Sequence, residues 1–211
     1  MNITIIGTGK MARAISTRLL QGSNNVSLIE HTPGKGEALA EELKGQGKGG
    51  SISAAHVGTL PGEVVVLAVP YHSAESAIHH VLELLPGKVL VDITNPINFQ
   101  TMEPLFPGGS GAEEIARLAP VSTRVVKAFN TTFAGTLMAG QVAGTQLDVV
   151  IAGEDADAKT KVTQLIESGG MRPINAGLLV RACQLEALDL LHIALQSTNN
   201  IGFMSAIKIL P

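Results

Sequence analysis

The stretch MNITIIGTGKMARAIS, residues 1–16, decides the fold. Asn2–Ile6 is a short apolar run of the kind that forms a buried strand, and Met11, Ala14, Ile15 and Leu19 recur at helical spacing over residues 11–21. Between them lies Gly7-Thr8-Gly9-Lys10-Met11-Ala12, which fits the G-x-G-x-x-A fingerprint of dinucleotide sites. In that geometry Gly7 makes the tight turn, Gly9 leaves no side chain between backbone and pyrophosphate, and Ala12 lets the helix lie close to the sheet. The N–H groups of the helix then face the anion. A glycine pair also serves simply to turn a strand into a helix, so the remaining sequence has to choose.

Residues 26–30 read as the second strand and Lys35–Leu43 as the second helix. Glu30 ends that strand about 20 positions after the glycines, where a carboxylate accepts hydrogen bonds from the adenosine ribose. Taken alone, Glu30 favours NAD and repels a 2′-phosphate. His31 and Lys35 follow and supply positive charge, and the alternative is that Glu30 and Lys35 are solvated loop charges.

The alternation continues to the end of the chain. The glycine-rich segment 44–63 holds one short strand, followed by a strand at 64–69, a helix at 73–85 and a strand at Val89–Asp92. A loop over 96–111 leads to a helix at 112–118, strands at 125–129 and 149–152, a helix at Ala156–Ser168, a strand at 172–174 and an apolar helix at 179–197. Strands alternating with crossover helices predict an α/β protein built on a doubly wound, mostly parallel Rossmann sheet. The expected organisation is an NAD(P)-binding domain over 1–177 and a carboxy-terminal helical extension, 178–211, packed on the same domain.

Ligands of such sheets bind beyond the carboxyl ends of the strands. Three segments fall there: VPYHS at 69–73, DITNP at 92–96 and KAFNTT at 127–132. Tyr71 and His72 are placed to line the ribose and nicotinamide region, Thr94 and Asn95 to hydrogen-bond cofactor or substrate, and Asn130 to fix a carboxamide or the acceptor. The competing reading makes Asn95, Pro96 and Asn130 turn residues that satisfy local backbone groups. His72 and Asn130 are the catalytic candidates. His79, His80 and His192 lie within helices without a partner at metal-ligand spacing, so no metal site is expected. Cys183, the single cysteine, excludes an internal disulfide and reads as a packing residue.

Composition narrows the classes further. Aromatic residues make up 3% of the chain and the formal charge is −3, without a basic stripe, which disfavours nucleic-acid binding. No apolar run reaches the roughly 20 residues of a spanning helix and no basic leader precedes the first strand, so a soluble, cytoplasmic protein without membrane contact is expected. There is no G-x-S-x-G elbow, no Walker lysine and no Tyr-x-x-x-Lys pair.

Taken together, ITIIGTGKMARAI, VVLAVPYHSAESAI, VLVDITNPIN, VVKAFNTTFAGTL and RPINAGLLVRACQLEALDLLHIAL resemble the coenzyme F420-dependent NADP oxidoreductase family across nearly the whole chain. The reductase domains of six-transmembrane metalloreductases are similar too, above all at KAFNT. The resemblance implies a Rossmann domain whose carboxy-terminal extension helps to build the substrate cleft, and a homodimer. It implies nucleotide contacts at Thr8, Gly9, Lys10 and Met11, and nicotinamide-side contacts at Val69, Pro70, Tyr71 and Asn130. Ala176 and Gly177 would approach the nicotinamide from the opposite strand end. Many members carry Ser-Arg or Thr-Arg after the second strand where this chain has Glu30-His31, so the nucleotide is left as NADP or NAD. The implied reaction is hydride transfer between NAD(P)(H) and a flat small-molecule acceptor, coenzyme F420 or a flavin. An imine or carbonyl reductase resembling pyrroline carboxylate reductases, and a non-catalytic NAD(P)-sensing module, are the alternatives.

Overall fold

Ile3, Thr4, Ile5 and Ile6 are all buried, which a strand achieves only when both faces of its sheet are covered. This strand, β1 (Asn2–Ile6), opens a computed structural model describing residues 1–30, 32–56 and 58–210. It is followed by α1 (Lys10–Leu20), β2 (Asn25–Ile29), α2 (Lys35–Leu43), β3 (Ser51–Ala55), β4 (Val64–Leu67), α3 (Ala74–Val81) and β5 (Val89–Asp92). A small hairpin of β6 (Ile97–Asn98) and β7 (Glu103–Pro104) precedes α4 (Gly111–Leu118) and β8 (Arg124–Lys127). Then come α5 (Ala134–Ala139), a second hairpin of β9 (Gln141–Val142) and β10 (Thr145–Gln146), β11 (Asp148–Gly153), α6 (Ala156–Ser168), β12 (Arg172–Asn175) and α7 (Ala182–Asn199).

The eight long strands form one sheet in the order β12-β11-β8-β5-β4-β1-β2-β3. Neighbours from β3 to β8 run parallel, with Ile3–Ile6 in register against Val26–Ile29 on one side and Val64–Leu67 on the other. The sheet reverses once. β11 is antiparallel to β8, joined through the pairs Ala152 with Lys127 and Gly153 with Val126, and β12 is parallel to β11. The expected mostly parallel, doubly wound sheet is therefore present. Between β8 and β11 the chain passes through the short α5 and the β9–β10 hairpin and returns antiparallel.

Helices cover both faces. Ala12, Ile15 and Leu19 of α1, Leu39 and Leu43 of α2 and Val162, Leu165 and Ile166 of α6 pack on one side. Ile78 and Val81 of α3 and Ala112 and Ile115 of α4 pack on the other. At the amino end of α7, Leu185 closes over Val150 and Ala152. The helix expected at 73–85 is interrupted: α3 gives way to a 3-10 turn at Leu82–Leu84. The loop expected at 96–111 contains the β6–β7 hairpin, and α5, only six residues long, has too few turns to show a period in the sequence.

Residues 201–210 run back from α7 and are fastened to the sheet edge by Asp148. Its carboxylate takes bonds from Arg172 Nε (2.7 Å), Lys208 Nζ (2.5 Å) and the Ile209 N–H (3.0 Å). Burial opposes ionisation of Asp148, but these donors outweigh it and hold the carboxyl at about 2. Among the described residues no helix is long and apolar enough to cross a membrane.

Candidate functional site

The two glycines of the opening loop do different things. Gly7 adopts φ +116°, and a Cβ built on it would lie 2.3 Å from the Ala68 carbonyl oxygen, so the turn between β1 and α1 requires glycine on both counts. Its N–H donates to the Ile29 carbonyl at 2.8 Å. Gly9 occupies the N-cap of α1 with ordinary backbone angles, and a Cβ there would meet nothing within 4 Å. No side chain caps α1 and no acidic residue stands in its first turn, so its N–H groups keep their capacity for an anion.

These residues open onto a cavity of about 620 Å³ beyond the carboxyl ends of β1, β2 and β4. Gly7, Thr8 and Gly9 line it from the loop, Glu30 and Lys35 from the β2–α2 junction, and Val69, Pro70 and His72 from the end of β4. Thr32, Ser76 and His80 complete its polar wall. The residues present fit a dinucleotide: the loop offers main-chain donors beside a glycine whose missing side chain leaves open space.

Glu30 is not merely a solvated charge. The Gly34 N–H donates to its Oε1 at 2.7 Å and the Gly36 N–H to its Oε2. The Gly36 bond, helped by that of Gly34, outweighs partial burial and holds the carboxyl below the usual glutamate range. His31 lies outside the described residues.

Other expected site residues fall elsewhere. Lys10 and Met11 stand in the first turn of α1, with Lys10 exposed and Met11 packed against the core, and neither lines the cavity. Tyr71 turns away from it: its ring meets Phe106 edge-on at 5.6 Å, and a Cβ on Gly111 would touch it at 2.8 Å. Burial, followed by the nearby Glu114, pushes the Tyr71 hydroxyl up to about 12. Ala176, just after β12, packs against Val150, Ala152 and Leu185 on the far half of the sheet, because β12 forms the edge opposite β3.

Asn95 and Asn130 do not line the cavity either; they grip each other. Asn130 Nδ2 donates to Asn95 Oδ1 at 3.0 Å and to the Leu185 carbonyl at 3.1 Å. Asn95 Nδ2 donates to the Asn130 carbonyl at 3.0 Å and to Asp189 Oδ2 at 2.7 Å. The turn reading thus holds in part: these amides satisfy backbone groups, though across elements rather than locally.

They belong to a buried polar cluster at the ends of β5 and β8. The Lys127 side chain is wholly buried, and its ammonium donates to Asp92 Oδ2 (2.8 Å), the Thr94 carbonyl (2.5 Å) and Glu186 Oε1 (2.7 Å). Glu186 also accepts the Gly111 N–H at 3.0 Å and so caps α4. Burial works against the Lys127 charge, but Asp92 and Glu186 more than compensate and keep it protonated. Burial raises Glu186 despite Lys127. One turn along α7, Asp189 has no such cation in contact; burial pushes it up to about 7, against the pull of Lys127 and Asn95. Its Oδ1, the Asn130 Oδ1 and the Thr94 hydroxyl have no hydrogen-bond partner among the described residues.

Sequence reasoning missed Lys127, Asp92, Glu186 and Asp189. Single charges inside the apolar runs VLVDI, VVKAF and LEALDLL were the available signal, since an isolated charge in a buried element has to be paired. His192, set aside as a core or surface histidine, is buried, stacks on Phe133 at 4.3 Å and reaches Ser205 Oγ through Nε2 at 2.8 Å. Among the described residues no cluster of three or more His, Cys, Asp or Glu could hold a metal ion.

Comparison with known proteins follows the same outline. Residues 2–96 match the model of the family described as NADP oxidoreductase, coenzyme F420-dependent. The chain is 31% identical to the metalloreductase STEAP3 of Rattus norvegicus over 188 residues, 89% of this chain and 36% of that protein. It therefore spans about a third of the length of that relative. It is 29% identical to the F420-dependent NADP reductase of Methanocaldococcus jannaschii, with 92% of each chain covered. Its fold superposes with a TM-score of 0.82 on a presumed F420-dependent NADP reductase from Arthrobacter sp. FB24, at 28% identity and with 99% of each chain covered. The resemblance read from the five motifs is borne out.

Proposed function

We propose that the chain is an NAD(P)-dependent oxidoreductase of the F420-dependent NADP reductase type, passing hydride between a bound nicotinamide dinucleotide and a flat redox acceptor of the deazaflavin or flavin kind. The observation that supports this best is the cavity itself: an uncapped helix terminus and a side-chain-free glycine at one end, an apolar strand end at the other.

When bound, the reduced nicotinamide supplies a hydride, two electrons with one hydrogen, and the acceptor takes up a solvent proton in addition. Such a transfer depends on ring alignment and exclusion of water more than on a strong acid. The main-chain N–H groups after Gly7 anchor the pyrophosphate, and Val69 with Pro70 form an apolar wall beside the ring. His72 is the acid–base candidate on the cavity wall. Tyr71 faces Phe106 and does not line the cavity.

The test follows nicotinamide absorbance with NADH and NADPH against coenzyme F420, FMN, riboflavin, a ferric chelate and a cyclic imine. Turnover with the deazaflavin or a flavin supports the reading. Turnover confined to the imine, and abolished in His72→Ala, replaces it with an imine reductase. Nucleotide binding by calorimetry without turnover of any acceptor replaces it with a sensing module.

A further inference from the structure

We infer that Glu30 is an internal anion seated in the adenosine half of the cavity, and that it selects a dinucleotide with a free ribose 2′-hydroxyl, NAD(H), over one carrying a 2′-phosphate. This rests on the cavity being a dinucleotide site. It departs from the nucleotide in the names of the archaeal and Arthrobacter relatives.

The amino end of a helix is where a phosphate is ordinarily received, because its first N–H groups have no partner within the helix. At α2 those donors are taken: Gly34 and Gly36 give their N–H groups to the two oxygens of Glu30. The seat is shaped for that carboxylate. Gly34 adopts φ +85°, and a Cβ on Gly36 would lie 2.9 Å from Glu30 Oε2, so any larger residue there would push the carboxylate out. A 2′-phosphate arriving at this corner would have to displace a group of its own charge.

Among the described residues the charge at this corner does not relieve that conflict: Lys35 and Glu30 face each other's charge on the cavity wall, and Glu37 adds a carboxyl group in the first turn of α2. A phosphate monoester brings close to two further negative charges. A ribose diol brings donors instead. A carboxylate offers about four acceptor positions; the Gly34 and Gly36 N–H groups take two of them, and the Lys35 N–H and the Glu37 side chain also act on it. A ribose diol can exchange with these weaker neighbours as a donor, whereas a phosphate brings only further acceptors.

Isothermal calorimetry of the ligand-free protein with NADH and NADPH, and with 5′-AMP against adenosine 2′,5′-bisphosphate, tests this without any acceptor. The parent is expected to bind NADH at least about tenfold more tightly than NADPH, a preference within what like-charge repulsion supplies. Glu30→Ser, which frees both glycine N–H groups, is expected to narrow that ratio about tenfold or more by gaining NADPH affinity. Glu30→Gln keeps the size, removes the charge and should move the ratio in the same direction, which covers the case in which the serine variant folds poorly. A parent that binds NADPH as tightly as NADH overturns the inference, as does a ratio unchanged in both variants. Either of those results leaves hydride transfer standing, whereas failure to bind any of the four ligands removes both readings.

Discussion

Gly7 and Gly9 are two positions apart in one loop, and substitution should separate folding from binding. A methyl at Gly7 meets a backbone carbonyl and an unfavourable φ, so Gly7→Ala is expected to lower stability by roughly 1–3 kcal/mol, read by urea unfolding. Gly9→Val should cost no more than about 1 kcal/mol, the loss of a favourable N-cap residue, because its Cβ meets nothing within 4 Å, yet weaken nucleotide affinity about tenfold or more. Asp189 carries a prediction of another kind. Its carboxyl titrates near 7 in the folded chain and near 3.8 when unfolded, so between those values the folded state holds a proton that the unfolded state has released. Stability from this group therefore falls as pH rises through that window and levels off above it. Asp189→Asn still accepts from Asn95 and never ionises, so its advantage over the parent should grow by on the order of 2 kcal/mol between pH 4.5 and pH 8. A constant difference between the two proteins across that range would assign the titration to another group.

The helices and strands owe their ends to such residues. β5, β8, α4 and α7 meet at Lys127, which answers Asp92, Glu186 and the Thr94 carbonyl at once. Lys127→Met keeps the volume but strands two buried carboxyl groups, and the expected loss is about 3–5 kcal/mol, measured by denaturant unfolding. Near-parent stability would show that Asp92 and Glu186 simply take up protons. The same junction shows what was legible beforehand. Strand and helix positions followed from apolar period because β1, β4 and β5 are covered on both faces and α1 on one. That the Gly7–Gly9 loop, Glu30, Val69, Pro70 and His72 share one cavity was expected, because this fold presents its strand ends at one edge. Asn95 and Asn130 were placed at the right edge but assigned to a ligand, since nothing in a sequence reveals that two amides across 35 positions face each other. Tyr71 was expected beside the nicotinamide; the 3-10 turn at Tyr71–Ser73 sets its ring against Phe106 and leaves His72 on the cavity.

Across the whole molecule, the carboxy-terminal segment is bound to the sheet around one carboxylate, Asp148, with Lys208 also donating to the Gln146 carbonyl and Arg172 to the Ile209 carbonyl. Asp148 titrates near 2 when folded and near 3.8 when unfolded, so its contribution is complete above the higher value and is lost as pH falls through the lower one. Limited proteolysis should accordingly find residues 201–210 protected at pH 7 in the parent and cleaved there in Asp148→Asn. Equal protection would mean that Met204 against Gly135 and Ser205 against His192 suffice to hold the segment. The reversal of the sheet has a consequence for how the protein breathes. β5 meets β8 through four residue pairs, but β8 meets β11 through two, so the main ladder is thinnest at that line. Amide exchange under native conditions should be fastest, among sheet interiors, in β11 and β12, and should reveal an opening smaller than global unfolding. The cavity lined by Gly7, Thr8 and Gly9 lies on the other side of that line, along β1, β2 and β4. Ligand added to the solution would then slow exchange across the amino-terminal strands while β11 and β12 continue to open at their own rate, two cooperative units sharing a single sheet.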